Sequence, residues 1–129
     1  MFLKILIESL LAFLSLDMIW ITQVASPWMK KAVPHLMAPN PNFYAAGIFY
    51  IIYLSSLIFL IISPALSQRT AMTTLAIQAF IYGFAAYATY DLTNLAVMKN
   101  YPVSMALADM VWGGILTMVT ALIIYKLNT

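Results

Sequence analysis

Phe43–Ile62 reads FYAAGIFYIIYLSSLIFLII, twenty residues without one charged side chain. About 20 apolar residues at ~1.5 Å each cross the ~30 Å hydrocarbon core of a bilayer, so this stretch by itself points to a transmembrane helix. Pro64 follows it and lacks a backbone donor, which predicts the helix end near residue 63. Three more stretches have similar length. One runs from Phe2 to Ala25 and is ended by Pro27; another runs from Thr70 to Met98 and is closed by Lys99-Asn100. The last opens at Pro102, a residue suited to a first helical turn, and runs to about residue 126.

Short connections make neighbouring helices antiparallel. The expected organisation is one domain over 1–129, all-α: an integral membrane up-down four-helix bundle with helices over about 2–25, 43–63, 70–98 and 102–126. The long connection, 26–42, holds Pro27, Pro34, Pro39 and Pro41, which argue against a regular helix through it. Its Trp28, Met29, Leu36 and Met37 are too apolar for free solvent and place it on the membrane interface, with Tyr44, Tyr101 and Tyr125 as further belt residues.

Composition agrees. The chain is 64% hydrophobic and 8% charged, where a soluble domain carries about 25% charged residues. Its net charge of +2 comes from scarce acids, and no basic run exceeds Lys30-Lys31, so nucleic acid is excluded as a partner. With no cysteine, disulfides, thiolate metal sites and a cysteine nucleophile are excluded as well. The N-terminal apolar run is longer than a signal-peptide core and contains Glu8 and Asp17, so it reads as a retained first helix. Lys4, Arg69 and Lys126 flank the helices on the N-terminal side (side A), and Lys30, Lys31 and Lys99 on the other (side B). The positive-inside rule therefore favours neither orientation.

The acids are the anomaly. Asp17, Asp91 and Asp109, three of the four in the chain, lie inside the apolar stretches. An ionisable group in hydrocarbon costs at least ~2.5–3.5 kcal/mol, so such residues ask for a reason. Counted from the side-B helix ends at ~1.5 Å per residue, Asp17 and Asp91 sit roughly 12 Å deep and Asp109 roughly 10 Å. Helices one, three and four are thus expected to bring a carboxyl into one layer. Tyr87, Tyr90, Asp91, Asn94 and Met98 fall on one stripe of the third helix by three- and four-residue steps. Lys30, Lys31, His35 and Lys99 lie on the same side, near the mouth of such a pocket. Asp17-Met18-Ile19-Trp20 is echoed by Asp109-Met110-Val111-Trp112, and the antiparallel helices would relate the two by an axis in the membrane plane. Glu8, nine residues before Asp17, points about 180° away and is expected to pair with Gln78 or Arg69 near side A.

The run Ala88-Thr89-Tyr90-Asp91-Leu92-Thr93-Asn94-Leu95-Ala96, with Lys99, Pro102, Asp109, Trp112-Gly113, Leu16-Asp17 and Trp20, resembles a bacterial family of small membrane proteins known only as a domain of unknown function. The resemblance covers most of the chain. It implies four transmembrane helices, a bacterial inner membrane and no established activity or catalytic residues.

The leading functional expectation is a pocket that binds, and in one version transforms, a membrane lipid or similar amphiphile. Asp91 and Asp109 are the candidate acid/base pair, and Asp17, Trp20, Tyr87, Tyr90, Asn94 and Trp112 the candidate binding residues. Oxygen-only ligands suit a hard divalent cation, so Mg²⁺ or Ca²⁺ bridging Asp17, Asp91 and Asp109 is the metal such a set would take. Two alternatives use the same acids: a homodimeric proton- or cation-coupled carrier, and a non-catalytic subunit whose polar layer is glue between helices.

Overall fold

In hydrocarbon every backbone N–H and C=O must bond within its own segment, so an apolar run of this length has only the helix open to it. The computed structural model describes residues 1–37 and 42–129 (of Leu36, the backbone only). Four long helices are present among the described residues: α1 Phe2–Ala32, α2 Phe43–Gln68, α3 Met72–Val97 and α4 Val103–Leu127. A 3₁₀ turn, Pro34–Leu36, follows α1, and no strand occurs among the described residues. α1, α2 and α4 are long and apolar enough to cross a membrane. α3 is as long, but Gln78, Thr89, Asp91, Thr93 and Asn94 make it the most polar of the four.

Two prolines do not act as the sequence predicts. α1 continues through Pro27 to Ala32, and α2 through Pro64 to Gln68. In each case a π-helical turn comes first, Ile21–Ala25 in α1 and Ile58–Ile62 in α2. The extra residue in such a turn shifts the hydrogen-bond register and widens the helix ahead of the ring, so the missing N–H and the bulk are both absorbed. The connection therefore starts at Val33, and Trp28 and Met29 lie on the helix, half-buried. Pro39 and Pro41 lie outside the described residues. At 31 residues α1 is roughly 46 Å long, longer than the bilayer requires, and its last turn carries the exposed Lys30 and Lys31.

The other helix ends are ordinary. Asn42 caps α2 by accepting from the Ala45 N–H at 3.1 Å. Arg69 closes α2 in the left-handed conformation (φ 51°), and Asn100 (φ 63°) turns the chain between α3 and α4. These short connections give the up-down order. α1 packs on α2 and α4, and α3 packs on α2 and most closely on α4. Glycine explains that last contact: a methyl group on Gly83 would overlap the Gly113 carbonyl oxygen and the Thr117 side chain.

The closed core occupies the side-A half, where Ile5, Phe13, Leu57, Ile62, Leu75, Leu116 and Ile124 are buried together. Tyr125, buried rather than placed in an interfacial belt, donates to the Thr70 carbonyl at 2.6 Å and ties α4 to the α2–α3 turn. Glu8 pairs with neither Gln78 nor Arg69. Its Oε2 lies 3.7 Å from Lys4 Nζ, one turn away on the same helix, and its Oε1 accepts from Asn128 Nδ2 at 3.1 Å. The end of α4 comes alongside the start of α1 and presents the Asn128 amide before any side chain of α3 is within reach. The outer surface is apolar, with Leu11, Ile52, Phe59, Ile81 and Val111 exposed, as lipid-facing helices require.

Candidate functional site

α1 buries one residue per four along a single stripe: Ile5, Ser9, Phe13 and Asp17. That spacing delivers Asp17 to the interior opposite α4. There Trp112 Nε1 donates to Asp17 Oδ1 at 3.1 Å, while Trp20 Nε1 donates to Asp109 Oδ1 at 3.2 Å. The two indoles stack with centroids 5.1 Å apart and planes 9° from parallel. The repeated Asp-x-x-Trp segments thus exchange the same hydrogen bond across an antiparallel pair of helices. Tyr50 of α2 completes the shell of Asp17, donating to its Oδ2 at 2.7 Å.

This register staggers the acids. Asp17 is level with Trp112 and Asp109 with Trp20, so the two carboxyls differ in depth by one turn, roughly 4.5 Å for three residues. Asp91 is fully buried on α3, with its carboxyl facing that of Asp109 and the Tyr101 hydroxyl. Neither Asp91 oxygen, nor the Tyr101 hydroxyl, has a hydrogen-bond partner among the described residues. The three carboxyls form a staggered row rather than one cluster. Consistently, no group of three His, Cys, Asp or Glu side chains that could hold a metal ion occurs among the described residues. The reason is geometric: Asp17 is turned to Tyr50 and Trp112, away from Asp91.

Beside the row lies a cleft of about 490 Å³, in the side-B half where the core gives out. All four helices contribute: Asp17, Trp20, Ile21 and Ala25 from α1, Ala45, Ala46, Phe49 and Tyr50 from α2, Ala86, Tyr87 and Tyr90 from α3, and Asp109 from α4. Small residues on α2 and α3 leave the space, and aromatic rings wall it. Of the candidate binding residues, Asp17, Trp20, Tyr87 and Tyr90 line the cleft, Tyr90 from an exposed rim, and of the candidate acid/base pair Asp109 does. Trp112 stands behind Trp20; Asp91 and Asn94 lie on the far side of Asp109, with Asn94 beside Tyr101. Lys30, Lys31, His35 and Lys99 do not line it.

Three contributors escaped the sequence reading. Tyr50 and Phe49 sit on the charge-free helix, where nothing flagged a polar role, although Tyr50 and Tyr53 bring hydroxyl groups into that charge-free run. Tyr101, expected in an interfacial belt, is buried against Asp91. Its position directly before Pro102 and the α4 start folds it back over the helix pair.

The unpaired state of Asp91 makes a prediction with a definite sign. Asp91→Asn keeps the shape, removes a carboxyl from the face of Asp109 and supplies an amide donor to it. It should stabilise the folded bundle by about 1 kcal/mol, the net worth of one hydrogen bond, read as a higher unfolding midpoint in detergent. A lower midpoint would mean that the Tyr101 hydroxyl, which faces Asp91, bonds to its carboxyl in the folded bundle.

Fold and site together define a small integral membrane protein whose helices bury a row of acids against paired indoles. The chain belongs to the family described as predicted membrane protein (DUF2177), which matches residues 2–126. No curated protein and no solved structure matches it.

Proposed function

We propose that the cleft receives the polar end of a membrane lipid or similar amphiphile, in the inner membrane of a bacterium. One observation carries this reading: the bundle leaves about 490 Å³ unfilled at the depth where it places its carboxyls, and walls that space with aromatic rings. A network serving only as glue between helices has no need of a void beside it. Asp109 is the group available to a ligand. Its Oδ1 accepts from Trp20, while its other oxygen accepts no protein hydrogen bond among the described residues. Asp17 has a donor on each oxygen and holds the wall in place. Asp91, behind Asp109, faces that carboxyl and does not line the cleft.

Filling the cleft tests the proposal without disturbing the acids. Ala46→Phe, on the α2 wall, should reduce the amount of lipid that stays bound through purification in mild detergent at least ~10-fold, a loss of about 1.4 kcal/mol or more in binding. Native mass spectrometry and lipid extraction give the readout. Identical bound-lipid profiles for the two proteins would refute the reading.

A further inference from the structure

We infer that the amphiphile carries a positive charge at its polar end, as an amine or a quaternary ammonium group; this rests on the binding role proposed above. The donors around the cleft are already committed. The indole N–H of Trp20, the indole N–H of Trp112 and the Tyr50 hydroxyl all point at protein carboxylates. A phosphate or carboxylate headgroup entering the cleft would find these donors already used. The hydroxyls left to it, on Tyr87 and Tyr90, are neutral. No lysine, arginine or histidine lines the cleft among the described residues, so an anionic head would meet two acids and no base.

A cation meets the opposite conditions. Asp109, one oxygen of which accepts no protein hydrogen bond among the described residues, lines the space together with the rings of Trp20, Phe49, Tyr50, Tyr87 and Tyr90. Aromatic faces attract cations through the ring quadrupole, more strongly where water is excluded. Behind Asp109 stands Asp91, wholly buried, with neither oxygen bonded to a donor. The row of carboxyls therefore contains more acceptor capacity than the fold supplies with donors, and a cationic head delivers the missing positive charge to Asp109. The alkyl portion has an exit over Ala45 and Ala46, whose small side chains open the cleft toward the apolar outer surface of α2.

The test compares two probes of one shape. Dodecyltrimethylammonium and its carbon isostere, which ends in a tert-butyl group, are titrated into the protein in nanodiscs of zwitterionic lipid, with empty nanodiscs as reference. Fluorescence of the stacked Trp20 and Trp112 reports arrival in the cleft. The ammonium probe should bind the protein about tenfold more tightly than the isostere, the scale of a cation on desolvated aromatic faces. Asp109→Asn should shrink that preference to about twofold or less, and the wild-type comparison decides the matter alone where that variant does not fold. Equal binding of both probes would overturn the charge inference and leave the amphiphile cleft standing. Binding of neither, together with unchanged lipid retention in Ala46→Phe, would remove both.

Discussion

Asp17→Leu is expected to destabilise the folded bundle by roughly 1–3 kcal/mol, despite replacing a carboxyl by a side chain that hydrocarbon accepts readily. The reason lies in what remains. Tyr50 and Trp112 each direct a donor at Asp17, at 2.7 and 3.1 Å, and Leu at that position leaves both without that acceptor. In a soluble core each orphaned donor costs ~1–3 kcal/mol. Between membrane helices the measured couplings are smaller, about 0.6–1.7 kcal/mol, because separated helices find other partners. The second scale governs here, which is why two lost bonds are given roughly 1–3 kcal/mol in total. Unfolding monitored in bicelles reads the change. The opposite sign is expected at Asp91, whose oxygens accept no hydrogen bond among the described residues and whose carboxyl faces that of Asp109. Two aspartates of one staggered row thus respond in opposite directions, and a general intolerance of buried charge would not produce that pattern. Asp17→Leu with unchanged stability would show that the Tyr50 and Trp112 bonds contribute nothing.

The second large effect concerns the α3–α4 contact. Gly83→Ala should cost roughly 1–3 kcal/mol, the range for overpacking a fitted interface. The obstruction is backbone: the new methyl meets the Gly113 carbonyl oxygen, and α4 has to move away to admit it. Since α4 carries Asp109 and Trp112, that shift also pulls on both indole–carboxylate bonds. Gly47→Ala supplies the control. A methyl there meets nothing within 4 Å, and removing a helical glycine is worth about 0.5–1 kcal/mol in favour of the fold. Thermal unfolding of the two variants in one detergent should therefore move in opposite directions. Equal shifts would mean that the close approach of α3 and α4 is absent.

How far the sequence leads depends on which physical rule is asked. The membrane bundle follows from charge-free length, because hydrocarbon admits little else, and Phe43–Ile62 suffices for it. The placing of Asp17, Asp91 and Asp109 within apolar helices follows from the same lengths; a shared depth does not, since the register sets Asp17 and Asp109 about one turn apart. The extent of α1 does not: the proline rule presumes α-helical geometry, and the π turn at Ile21–Ala25 suspends it just before Pro27. The Asp-x-x-Trp echo put the right residues on one face, yet spacing along one helix contains nothing about the register between two. Whether Trp20 serves Asp17 or Asp109 is decided by how α1 lies on α4. Tyr50 was hidden for a related reason, since its role exists only once Asp17 arrives from another helix.

An experimental density map of the protein in lipid nanodiscs tests the central claim most directly, that reciprocal Asp–Trp bonds hold an open, occupied cleft at one depth of the bundle. Both indole nitrogens are expected within hydrogen-bonding distance of the opposite carboxylates, with elongated density entering between α1, α2 and α3 and its polar end at Asp109. A cleft closed by the protein's own side chains, or the carboxyls of Asp17 and Asp109 turned outward to the bilayer, would contradict it.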